Sequence, residues 1–178
     1  FILLGIFVLL FSWRTLTRTG DWKNNYTLAL ATLQTSPNSP RFNNMMGLEL
    51  RAQNKNNEAL AYFEKAVQAN PNHVPALVNL GMEYAHFNRQ QEAGAILEKA
   101  LVLEPGTLAT YANLMSVYRS TGAHDKNIAI AEKAMQRFPQ SAAIMWNAAN
   151  AYHMAGNMAR ANELRAKALS IDPNIGGG

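Results

Sequence analysis

Residues 64–73 read EKAVQANPNH, residues 98–107 read EKALVLEPGT, and residues 132–141 read EKAMQRFPQS. Each stretch sets an alanine five residues ahead of a proline, and Ala168 and Pro173 repeat the spacing. The prolines Pro37, Pro71, Pro105, Pro139 and Pro173 stand 34 residues apart. Further columns fall out of the same register. Lys65, Lys99, Lys133 and Lys167 precede the alanines Ala66, Ala100, Ala134 and Ala168. Ala59, Ala93 and Ala161 share a column that Asn127 interrupts, and Leu50, Tyr84, Tyr118 and Tyr152 share another. Gly20, Gly122 and Gly156 align with Asn54 and Asn88. A fixed period of this length is the mark of a repeat architecture.

Each period reads as two amphipathic helices and a tight turn. The column alanines are small where helices approach closely, and Gly or Asn supplies the turn conformation at little strain. Proline closes the second helix because it cannot continue one without losing a hydrogen bond. The spacing predicts helices near 1–18, 22–35, 40–53, 56–69, 74–87, 90–103, 108–121, 124–137, 142–154 and 158–170.

These columns resemble the tetratricopeptide repeat. The resemblance covers residues 40–175 as four repeats (40–73, 74–107, 108–141, 142–175) and extends weakly to 6–39, where Asn25 and Thr32 replace the expected alanines. It implies an all-α, right-handed solenoid of antiparallel helix pairs, with an inner surface lined mostly by first helices. Residues 1–20 then form a preceding apolar helix, residues 21–39 the second helix of a degenerate half-repeat, and residues 176–178 a glycine tail.

Composition narrows the function. In the 178-residue chain 48% of residues are apolar, enough for a core, and 16% are charged. The net charge of +4 is scattered, with no basic face of the kind that reads nucleic acid. The absence of cysteine removes disulfides, thiol catalysis and Cys-ligated metals. His73, His86, His124 and His153 lie in different repeats without ligand spacing and read as surface or groove-lining imidazoles. Glu64-Lys65, Glu98-Lys99 and Glu132-Lys133 read as a solvated helix face. No catalytic, metal or cofactor constellation emerges, so a non-enzymatic protein is expected.

One periodic set carries a binding mechanism. Asn79, Asn113 and Asn147 recur on the inward face of their first helices. In the family such an Asn ladder pairs with the backbone of an extended peptide. An amide offers donor and acceptor together and so reads a backbone without reading side chains. Repeat geometry adds Asn44, Met45, Leu48, Arg51, Met82, Ser116, Arg119, Trp146 and Asn150 as neighbours. The expected partner is a protein or peptide segment.

The start of the chain points elsewhere. Phe1, Ile2, Leu3, Leu4, Ile6, Phe7, Val8, Leu9, Leu10, Phe11 and Trp13 make an almost wholly apolar run. As a helix it covers about 20 Å, short of a bilayer's roughly 30 Å. Three readings stand: the end of a longer transmembrane helix, a processed N-terminus that inserts into an assembly, or a first helix buried under its own domain. The junction RTLTRTGDWKNNYTLALATLQTSPNSPRFNN (residues 14–44) resembles the C-terminal part of membrane O-mannosyltransferase-type proteins, with its Arg-Thr exit and Asp21-Trp22. That resemblance implies an extracytoplasmic repeat tail behind a catalytic membrane portion, and hence a membrane-associated, periplasmic, extracellular or lumenal location. Arg14, Arg18 and Lys23 lean the other way by the positive-inside tendency. At the far end Leu164, Ala168 and Ile171 form a face expected to lie uncovered. Together with the apolar start, that face suggests head-to-tail homo-oligomers, filaments or tubes.

Overall fold

The computed structural model describes residues 25–176, and among these it holds nine α-helices and no strand. They are α1 (Asn25–Thr35), α2 (Pro40–Ala52), α3 (Asn56–Ala69), α4 (Val74–His86), α5 (Gln90–Leu103), α6 (Leu108–Ser120), α7 (His124–Arg137), α8 (Ala142–Met154) and α9 (Met158–Ile171). The helix ends fall within a residue of the spans read from the period, except that α1 is described only from Asn25. The helix expected over 1–18 and the turn glycine Gly20 lie outside the described residues. The chain divides into two compact units, one ending at Asn79 and the other beginning at Leu80. In the first, α1 packs on α2 and α2 on α3. In the second, each helix from α5 to α9 packs on the next, and the first helices α6 and α8 also touch.

The turn inside each pair is the same object four times. Asn54, Asn88, Gly122 and Gly156 all have positive φ, between 58° and 84°. The residue after each donates its N–H back to the column residue four places before the turn: Lys55 to Leu50, Arg89 to Tyr84, Ala123 to Tyr118 and Asn157 to Tyr152, at 2.8–3.0 Å. The turn residue itself bonds three back, as Asn54 does to Arg51 and Gly156 to His153. This double closure satisfies carbonyls the helix end would otherwise leave orphaned. Only Gly, and more rarely Asn, enters the left-handed region cheaply.

The second helices end alike. The N–H groups of Asn70, Glu104, Phe138 and Asp172 reach the carbonyls of Ala66, Ala100, Ala134 and Ala168 at 2.8–3.0 Å, and a proline follows each donor. Those four alanines are fully buried, as are Ala59, Ala93 and Ala161. Among the helical glycines, close approach is tightest at Gly47 and Gly81. A Cβ on Gly47 would stand 2.5 Å from the Phe63 ring, and one on Gly81 would stand 2.7 Å from Leu97 Cγ. The next period reverses the sizes: buried Met115 stands in the glycine column and buried Ala131 in the Phe63 column. Asn127 departs from its alanine column, and its buried Oδ1 has no hydrogen-bond partner. That arrangement costs stability, because a buried polar atom loses water without replacement.

One expectation is overturned. Leu164 and Ala168 do not form an uncovered face: they are 2% and 0% exposed. The α8–α9 contact turns that stripe inward, leaving Met158, Leu169 and Ile171 as the large apolar residues exposed on α9. His73 also has a more local role than a groove or surface imidazole. Its Nδ1 accepts the Ala76 N–H at 3.2 Å, capping α4 as Ser141 caps α8 through Ile144 N. A side-chain acceptor at that place satisfies one free helix N–H.

The turn geometry sets a measurable penalty. Nothing lies within 4 Å of a Cβ placed on Gly156, so Gly156→Ala meets only the cost of the left-handed backbone. The variant should lose about 1–2 kcal/mol in urea unfolding, whereas Asn88→Gly should be neutral or slightly stabilising. Equal stability of Gly156→Ala and parent would contradict the turn.

Candidate functional site

The candidate residues sit on first helices, where helical spacing aligns them, and the two units treat them differently. In the unit ending at Asn79, the Asn79 amide is held by its own protein. Its Nδ2 donates to Asn44 Oδ1 at 2.9 Å, and Arg51 Nη2 donates to Asn79 Oδ1 at 3.4 Å. Asn44 is buried, and the Arg51 guanidinium also lies 5.7 Å from the centre of the Phe63 ring. Asn44, Arg51 and Asn79 thus form a closed polar cluster rather than open amides.

In the unit beginning at Leu80, three expected residues converge. Met82, Asn113 and Ser116 line a cavity of about 260 Å³ with Ala85, Gln90, Leu97, Val117 and Ser120. Leu97 and Val117 are buried and give it an apolar floor. Asn113, Ser116 and Ser120 bring amide and hydroxyl groups, and no charged side chain lines the cavity. Arg119 Nη2 donates to Ser116 Oγ at 3.4 Å from outside that lining. Gln90 was not foreseen. Its Nε2 donates to the Ala85 carbonyl at 3.2 Å, while its Oε1 is buried without a partner. Trp146, Asn147 and Asn150 are half-buried on α8 and do not line this cavity. The apolar contact residues from Phe1 to Trp13 lie outside the described residues. Among the described residues, no three His, Asp or Glu side chains gather as metal ligands, and no helix is long and apolar enough to cross a membrane.

The tetratricopeptide repeat family model matches residues 44–107, from Asn44 to the turn after α5. The structure is similar to that of MamA, with a TM-score of 0.77 and 23% identity over 91% of this chain and 95% of that one. MamA of Desulfovibrio magneticus RS-1 gives 0.76, with 19% identity and 93% of each chain covered. Residues 44–107 of this chain are tetratricopeptide repeats. The family match and the columns carry that statement, and at these identities the MamA likeness concerns the fold alone. Protein O-mannosyl-transferase TMTC3 of Mus musculus is 30% identical over 78 residues, 44% of this chain and 8% of the mouse protein. Its human counterpart is 31% identical over the same length, again 8% of that protein.

The tetratricopeptide register also exposes a pairing that the sequence alone concealed. Glu98 and Glu132 are not merely a solvated face. The Tyr118 hydroxyl donates to Glu98 Oε1, and the Tyr152 hydroxyl donates to Glu132 Oε1 at 2.7 Å. Each bond ties a first helix to the second helix of the preceding pair, and one is the other displaced by a period. Lys126 Nζ lies 5.6 Å from the centre of the Tyr118 ring. Burial, and then the Glu98 carboxylate, push the Tyr118 phenol far above its ordinary value. Tyr152 shifts the same way by burial and Glu132, partly offset by Arg160. On α9, Lys167 and Arg160 hold the exposed Glu163 carboxyl down at about 2. Exposed pairs of that kind contribute little. The tyrosine column was visible in the sequence, but its glutamate partners lie 20 residues earlier, on a different helix.

A raised phenol value in the folded state fixes the sign of the pH dependence. The contribution is complete below the unfolded value of about 10 and is lost as pH climbs from there toward the folded value. Tyr118→Phe should cost about 0.5–1.5 kcal/mol at neutral pH, the worth of one hydrogen bond. It should also remove the last-ionising component from an absorbance titration of tyrosinate, leaving that of Tyr152. A parent chain whose tyrosines all ionise at the free value would refute the pairing.

Proposed function

We propose that this chain is a non-catalytic scaffold that holds an extended peptide segment of a protein partner against its first-helix face. The observation that supports it best is the convergence of Met82, Asn113 and Ser116 on one uncharged cavity with an apolar floor. An Asn amide there can accept a peptide N–H and donate to a peptide carbonyl. Each such bond is worth about 0.5–1.5 kcal/mol net, against an association cost of about 4–15 kcal/mol. Apolar burial at Met82, Leu97 and Val117 must therefore supply most of the affinity. Sequence selectivity then rests on an uncharged side chain entering the cavity.

The same reading places the scaffold at a membrane, on its extracytoplasmic side, as the tail of a glycosyltransferase-like protein. The apolar run from Phe1 to Trp13 supports it, as does the limited likeness to protein O-mannosyl-transferase TMTC3. A second reading is head-to-tail self-assembly. Leu169 favours it, being 42% exposed where Val67, Leu101 and Met135 are half-buried in earlier periods. Arg165 and Asn162 oppose it. They stand in the columns of buried Leu97 and half-buried Ile128, so the outer face of α9 offers charge where earlier second helices offer apolar surface.

Selection from a displayed library of extended peptides supplies the probe for the groove. Asn113→Ala combined with Asn147→Ala should weaken the selected peptide about tenfold, the equivalent of two modest hydrogen bonds. Undiminished binding by the folded double variant ends the ladder reading. Light scattering of the pure chain in detergent-free buffer decides the second reading, which a monomer eliminates.

A further inference from the structure

Beyond α9 the chain re-uses the loop that elsewhere launches a new repeat. Asp172 Oδ1 accepts the Asn174 N–H at 3.0 Å and the Asp172 carbonyl accepts the Ile175 N–H at 3.1 Å. The loop after α3 has the same two bonds, from Asn72 and His73 back to Asn70, at 3.0 and 3.1 Å. There the next residues wind into α4. Here Gly176 turns to φ +86° and lies against the indole of Trp146. A Cβ on Gly176 would overlap Cζ2 of that ring and stand 2.8 Å from Cε2. Two separate features thus require glycine at this place: a left-handed backbone and the absence of room for any side chain. Ile175 is half-buried beside it.

We propose that residues 172–176 are a strap that closes over Trp146, so that a partner reaches this indole only after the strap is displaced. The gating half rests on the peptide-holding reading above, since Trp146 belongs to the first-helix face of α8. The strap itself does not. Its hydrogen-bonded turn and the fit of Gly176 on the ring are features of the chain alone. Their consequence is a site open at rest beside Asn113 and shut at Trp146. The contact uses no charged side chain and buries one flat aromatic face, a small contact of the kind that opens at low free-energy cost. A partner bringing a side chain for the indole can therefore compete with the strap for the part of the ring that Gly176 covers.

The test uses the full chain with Trp13→Phe and Trp22→Phe, which leaves Trp146 as the sole indole of the three. Acrylamide quenching of its fluorescence is compared with and without Gly176→Ala, which introduces the overlapping Cβ. Ile175→Asp, which removes the apolar anchor, serves as a second variant. Each should raise the quenching constant about twofold by exposing the ring and shift emission to the red, with helical circular dichroism unchanged. Quenching equal to the parent in both variants overturns the strap. If Trp146 is freed yet the peptide selected above gains no affinity, gating is overturned while peptide holding stands. If no peptide is held at all, the scaffold reading fails on its own test and the quenching result still decides the strap.

Discussion

A single left-handed residue in each intra-pair turn is the constraint from which the rest follows. Asn54, Asn88, Gly122 and Gly156 let the chain leave one helix and start the next within three residues. That short reversal lays second helix against first in a fixed phase. Only with that phase do the column alanines meet their neighbours, and only then is a side chain at Gly47 or Gly81 excluded by Phe63 or Leu97. Backbone conformation comes first here and packing second, since no side-chain choice repairs a turn that cannot close.

Within the phase, the packing tolerates exchange of volume between facing columns. Gly47 with Phe63 and Gly81 with Leu97 give way to Met115 and Ala131, all buried. Interiors are close-packed, so a gain on one helix has to be matched by a loss on its neighbour. Polar departures are less well matched. Asn127 keeps an amide oxygen buried without a donor, and Thr110 keeps a hydroxyl in the same state. In contrast, the Tyr118–Glu98 and Tyr152–Glu132 bonds reward the polar atoms they use. They join consecutive pairs, which is where a repeat array needs its coupling, because each repeat otherwise contacts only its neighbours.

The sequence made the helices legible because the period is written in residues with backbone consequences. Proline stops a helix, Gly or Asn turns it, and alanine permits contact, so the columns needed no tertiary information. Relations between side chains of different helices were less legible. Glu98 and Glu132 look solvated when each helix is read alone, and His73 gives no sign that it will cap α4. Leu164 and Ala168 were misjudged for a related reason: helical spacing identifies an apolar face but not which neighbour covers it. Gly176 reads as part of a featureless tail because a glycine's neighbours leave no trace in its own column.

The ladder shows how far a periodic motif can be trusted as a site. Asn79 and Asn113 share a column, yet the Asn79 amide is engaged by Asn44 and Arg51 while Asn113 borders a cavity. The difference lies in the preceding first helix: Asn44 and Arg51 there supply polar partners to Asn79, whereas the equivalent of Arg51 before Asn113 is Ala85. An amide without a companion must satisfy its donors and acceptor with water or a ligand. A ligand backbone therefore gains more at Asn113, where it replaces water, than at Asn79, where it must first displace an internal hydrogen bond. The chemistry of the neighbours, and not the Asn itself, decides which rung of the ladder is available.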